Sequence, residues 1–151
     1  MKPHPVDSTA LRTTLEARPE VLFAYLFGSA GTGITHGQSD VDVAVYVCDS
    51  SIQGADANLM LHDLWIDIHG ELVRTLGRED VDLVILNRTS PLLAERVVRH
   101  GQLLFSRDEV ARIRWIVETK GRYCDLTPVR SRLDRVVAER IRTGRFGYSH
   151  G

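Results

Sequence analysis

With 151 residues, 43% of them hydrophobic and 26% charged, the chain suits one globular domain with a real core and is too apolar for a disordered tail. No run approaches the roughly 20 apolar residues of a membrane span, and Met1 to Asp7 lack the apolar core of a secretion signal, so a soluble cytoplasmic protein is expected. The net charge of −1 is unevenly spread: residues 1–106 hold 8 Lys and Arg against 14 Asp and Glu, whereas residues 107–151 hold 11 against 6.

Asp7 or Ser8 is the N-cap of a predicted first helix that runs through Leu11 and Leu15 and ends at Arg18-Pro19. Val21–Phe27 and Val41–Val47 are short apolar runs rich in strand formers, and a polar connection spans 48–57. Residues 58–76 read as a helix, with Leu61, Leu64, Ile68, Leu72 and Leu76 repeating every three or four positions and Gly77 as its stop. A third strand is expected at 81–86. Pro91 opens a short helix that ends at Gly101. Leu103, Leu104 and Phe105 suit an edge strand, and 108–123 suits a longer helix. Thr127-Pro128 opens a last helix carrying Val129, Leu133, Val136, Val137 and Ile141. The elements predict an α/β fold with a small mixed sheet, flanking helices and a C-terminal helical extension. Its first two strands, joined directly, should pair antiparallel. The expected organisation is a core of residues 1–106 and a basic extension and tail of 107–151. Cys48 and Cys124, far apart and outside any C-x-x-C, read as reduced thiols, which fits the cytosol.

The chemistry concentrates between the first two strands. Gly28-Ser29 is followed by Gly31, Gly33 and Gly37, then by Ser39-Asp40-Val41-Asp42. Side chains two apart on a strand share a face, so Asp40 and Asp42 aim their carboxylates into one volume, where two anions repel. A divalent cation removes that penalty, and hard oxygen ligands suit Mg²⁺. Asp82 opens the third strand and adds a carboxylate if that strand lies beside the pair. Three carboxylates permit two Mg²⁺ ions, with Asp82 nearest the attacking group and suited to be its general base. Gly28 lets backbone approach a triphosphate, Ser29 offers an N–H and a hydroxyl, and Ser39 offers a hydroxyl to a phosphate oxygen or a water at the metal. His36, inside the loop, either meets phosphate or base or simply fills a loop position. His62 and His69 lie seven apart on one helix face but lack an obvious third ligand for zinc. Asp80 falls at a strand edge and is expected in solvent.

At these residues the chain resembles the polymerase-β-type nucleotidyltransferases, whose signature is G-S followed by D-x-D and a later Asp. Further matches run through Val81-Asp82-Leu83-Val84, Ser90-Pro91-Leu92-Leu93, Arg99-His100-Gly101-Gln102-Leu103-Leu104-Phe105 and Arg140-Ile141-Arg142-Thr143-Gly144-Arg145-Phe146-Gly147. They are similar to the MntA-type antitoxin branch of the minimal nucleotidyltransferases. Thr32 stands where many relatives carry Arg. The resemblance implies an Mg²⁺-dependent adenylyltransferase that uses ATP and assembles with a HEPN-domain RNase toxin. It would move AMP to a tyrosine of that toxin, release pyrophosphate and so neutralise it. No membrane or direct nucleic-acid partner is expected. Two other readings fit the same residues: a small-molecule (aminoglycoside-type) nucleotidyltransferase, and an antitoxin that acts by binding alone.

Overall fold

The computed structural model describes residues 7–28, 41–124 and 135. Helix α1 (Ser8–Glu16) starts where Asp7 accepts the Ala10 N–H at 3.0 Å, as an N-cap does. Strand β1 (Val21–Phe27) leads towards the glycine-rich segment, and β2 (Val41–Val47) returns from it. The polar connection contains one 3₁₀ turn, Asp49–Ile52, that buries Ile52. Helix α2 (Ala57–Leu76) ends on Gly77, whose φ of 66° is the left-handed conformation that a helix stop requires. Then come β3 (Val81–Ile85), α3 (Pro91–His100), β4 (Gln102–Ser106) and α4 (Glu109–Cys124). Ser90 caps α3 by accepting the Leu93 N–H, with Pro91 in the first turn, where its missing N–H costs nothing.

The four strands form one mixed sheet in the order β3-β2-β1-β4. The central strand β1 is antiparallel to both β2 and β4, and β3 lies parallel to β2. Alternation along the strands sorts side chains onto two faces. Leu11 and Leu15 of α1 and Ile68 and Leu72 of α2 pack on Val41, Val43, Val45, Leu83 and Ile85. On the opposite face, Ala94 and Val97 of α3 and Trp115 of α4 pack on Phe23, Tyr25, Phe27 and Ala44. Phe23 stacks on Tyr46 with centroids 4.8 Å apart. Trp115, in the first part of the segment expected to form the extension, is 2% exposed, so α4 packs on the sheet. With both faces covered, β1 and β2 are apolar almost throughout, as the sequence requires.

Two contacts close the sheet where strand ladders do not. Asn87 reaches across to β2, accepting the Val47 N–H at 2.9 Å and donating to the Val47 carbonyl at 2.8 Å, as a further strand residue would. Along the outer edge of β3, Trp65 Nε1 donates to the Leu83 carbonyl at 2.8 Å, and His69 Nε2 lies 2.8 Å from the Val81 carbonyl. These two rings, one turn apart on α2, stack with centroids 4.6 Å apart. His69 is therefore engaged with the strand edge and with Trp65, while His62 is exposed.

Candidate active site

The site is built by register. In the β1–β2 ladder Phe27 pairs with Asp42, and in the β2–β3 ladder Asp42 pairs with Asp82. Paired residues on neighbouring strands are about 4.8 Å apart and point the same way, so two carboxylates from different strands stand side by side. Asp42 is half-buried and Asp82 is exposed.

Gly28 closes the site on the β1 side. Its φ is +72°, which only glycine adopts at little cost. A Cβ built on it would overlap Asp42 Oδ2 and lie 3.1 Å from Asp42 Cγ. The Asp42 carboxylate thus occupies the space that a side chain at 28 would fill, so any other residue there would have to displace it, and the positive φ favours glycine independently. The other sequence-predicted site residues, Ser29, Ser39 and Asp40, lie outside the described residues, as do Gly31, Thr32, Gly33, His36 and Gly37.

Among the described residues no group of three or more His, Cys, Asp or Glu side chains could hold a metal ion. The pair Asp42 and Asp82 nevertheless has the donor chemistry that Mg²⁺ takes: hard carboxylate oxygens on adjacent strands.

Asp80, expected in solvent, is half-buried instead. Arg78 Nε donates to Asp80 Oδ1 at 2.5 Å and Nη2 to Oδ2, and this fork holds the Asp80 carboxyl below the usual carboxylate range. The Asp80 carbonyl accepts the Val41 N–H at 2.9 Å, so the fork sits where β2 and β3 enter the site. The signal available in sequence was Arg78-Glu79-Asp80, an arginine two residues from an acid at a strand start. The basic segment also proves partly structural. Arg107 donates to the Val21 and Glu16 carbonyls, each at 2.7 Å. Arg112 is bound by Glu109 and by the Tyr25 hydroxyl at 3.1 Å. Hydrogen bonds from Arg112 and Ser106 hold Glu109 at about 2.

A family model described as polymerase beta, nucleotidyltransferase, matches residues 9–110, about two thirds of the chain. The chain belongs to this nucleotidyltransferase family. The nucleotidyltransferase is 33% identical over 91 residues to the protein adenylyltransferase MntA of Shewanella oneidensis. That alignment covers 60% of the chain but only 58% of the relative's length. Among solved structures, it is similar to a toxin–antitoxin crystal structure with AMP-PNP, at 27% identity and a TM-score of 0.64, covering 88% of this chain and 99% of that one. It is also similar to a structure of a tri-AMPylated Shewanella oneidensis HEPN toxin in complex with an MNT antitoxin, at 25% identity and a TM-score of 0.58 over 87% of this chain and 95% of that one. The mixed sheet with its flanking helices is the nucleotidyltransferase fold of these structures.

Proposed function

We propose that the chain is an antitoxin that transfers AMP from ATP to a tyrosine of a partner HEPN-domain RNase toxin, releases pyrophosphate and thereby silences the partner. The observation that carries this reading is the Asp42–Asp82 register pair beside a glycine that leaves room for the Asp42 carboxylate. Likeness over most of the chain to a chain of a toxin–antitoxin crystal structure with AMP-PNP supports it. In the reaction the tyrosine oxygen bonds to the α-phosphorus, and the bond from that phosphorus to the pyrophosphate oxygen breaks. The phenolic proton passes to Asp82, the exposed carboxylate of the pair. Gly28, Ser29 and Ser39 bind the nucleotide, and Asp40, Asp42 and Asp82 hold Mg²⁺. Bound there, Mg²⁺ supplies charge neutralisation at the phosphates. The remaining contribution of the chain is positioning, as in other phosphoryl transfers. The core of residues 1–106 carries the chemistry, and α4, at the start of the 107–151 extension, packs against it through Trp115. Among the described residues no helix is long and apolar enough to cross a membrane. Cys48 and Cys124 are free thiols, which supports a cytoplasmic location.

The test is to incubate the protein with its neighbouring gene product, ATP and Mg²⁺ and to take intact masses of both. The expected result is an AMP-sized increment on the partner that disappears with Asp42→Asn or with EDTA. A stable complex that stops RNase activity without any increment would move the protein to the antitoxins that act by binding alone.

A further inference from the structure

We propose that His69 and Trp65 are positioning residues for the reaction: from α2 they clamp the outer edge of β3 on either side of Asp82 and so hold that carboxylate in place beside Asp42. The clamp's part in catalysis rests on the function proposed above.

Strand β3 is the last of the sheet, with β2 on one side only. An edge strand leaves every second carbonyl without a strand partner, and such edges open readily. On β3 the outward carbonyls nearest Asp82 are those of Val81 and Leu83, one residue to either side. Both are taken. His69 Nε2 lies 2.8 Å from the first, and Trp65 Nε1 donates to the second at 2.8 Å. A carbonyl oxygen only accepts, so Nε2 of His69 carries the proton. The spacings match: residues four apart on a helix are about 6 Å apart along its axis, and residues two apart on a strand about 6.5–7 Å. The two rings stack with centroids 4.6 Å apart, so each restrains the other. Ile68, between them in sequence, is fully buried in the core and fastens this part of α2 to the sheet.

Three observations tie the clamp to the acid rather than to edge cover alone. The Val81 carbonyl belongs to the peptide bond whose nitrogen is that of Asp82, so His69 restrains the backbone from which the carboxylate departs. On the inner edge Asp82 pairs with Asp42, and the Asp80 carbonyl accepts the Val41 N–H at 2.9 Å, so Asp82 is held from both sides of its strand. Finally, α2 acts through the backbone only. Val81 and Leu83 pack on the α2 face and Val84 on the α3 and α4 face, and alternation puts the Asp82 side chain with Val84. The carboxylate therefore points away from its clamp and stays exposed to substrate.

The experiment compares the full-length protein with His69→Leu and Trp65→Phe, which keep bulk and lose the donor, and with His69→Gln, which keeps a donor. Asn87→Ala, which releases β2 at Val47, is the control for lost stability. AMP transfer is followed against toxin concentration at a temperature where all the proteins are folded. Amide hydrogen exchange across Val81–Ile85 is measured separately, without nucleotide or metal. His69→Leu should lower kcat at least about tenfold and leave KM for the toxin within about twofold, because a displaced carboxylate slows the chemistry and not the docking. Trp65→Phe should lower kcat in the same way, and His69→Gln should restore most of the rate. In both donor-less variants exchange across β3 should quicken about fivefold, the opening expected when one hydrogen bond is lost. Asn87→Ala should keep kcat within about twofold, since it loosens a distant part of the sheet. Unchanged exchange in both His69→Leu and Trp65→Phe would overturn the clamp. Faster exchange with full kcat would reduce it to edge cover, and an equal loss of kcat in Asn87→Ala would make the effect one of stability; either overturns the positioning role. Absence of AMP transfer by the unsubstituted protein would sink the proposed function instead, and hydrogen exchange would still decide whether α2 holds the acid-bearing strand.

Discussion

Replacing Gly28 by alanine separates two demands that the structure places on one residue. The first is the backbone: a non-glycine residue at φ +72° loses about 1–2 kcal/mol. The second is space: the new Cβ meets the Asp42 carboxylate, and forced overlap in a packed setting costs about 1–3 kcal/mol. Together they give about 2–5 kcal/mol, which at roughly 3 °C per kcal/mol for a chain of this size lowers Tm by about 6–15 °C. Asp42→Ala removes the second demand and keeps the first. In that background Gly28→Ala should lower Tm by only about 3–6 °C, so the double-mutant cycle should show a coupling of about 1–3 kcal/mol. Activity has a different sensitivity. A carboxylate pushed aside by about 1 Å costs on the order of a hundredfold in rate, so AMP transfer by Gly28→Ala should fall at least that far at temperatures where the protein is folded. Thermal denaturation of the four proteins and single-turnover transfer assays supply the measurements. Equal losses of Tm in the two backgrounds, with transfer within a few-fold of the unsubstituted protein, would refute the packing of Asp42 against Gly28.

Trp65→Phe keeps the ring but loses the donor to the Leu83 carbonyl; a loss of about 1 kcal/mol is expected in urea denaturation, with the slope unchanged. Asn87→Ala leaves both polar groups of Val47 without their side-chain partner and should cost more, about 1–3 kcal/mol by the same measurement. The Arg78–Asp80 fork predicts a pH dependence. The folded-state pKa of Asp80 is depressed, so its contribution is present above the unfolded value of about 3.9 and is lost as pH falls below it. The stability gap between the protein and Arg78→Met should therefore narrow from pH 7 to pH 3; a gap that widens would contradict it.

Local signals in the sequence reached far into this fold. Apolar runs marked Val21–Phe27 and Val41–Val47, and Asp7, Gly77, Pro91 and Gly101 punctuate the helices they bound. The meeting of Asp42 with Asp82 was conditional in sequence, because strand neighbours and register are set by tertiary packing rather than by local pattern. The contacts of Trp65 and His69 with the edge of β3 escaped notice for a related reason. The apolar repeat of α2 points to Ile68 and Leu72, and nothing local says that an adjacent stripe will meet the edge of a strand made later. Asp80 was misjudged because an acid beside a strand start looks solvated until Arg78 folds over it. For Asp42, the glycine opposite was legible as a loop residue, but the crowding that makes it necessary was not.

The position of β1 between β2 and β4 sets the order in which the molecule can be completed. On one side β1 meets its hairpin neighbour, but on the other it waits for β4, and the Arg107–Val21 bond that fastens this junction spans 86 residues. Such distant pairing slows folding, because the intervening chain must be closed before any contact rewards it. During synthesis both acid-bearing strands emerge while the far edge of β1 is still bare, open to pairing with another nascent chain. The carboxylates are thus made early, but the sheet that carries them is finished only when one of the last strand-forming segments of the core arrives.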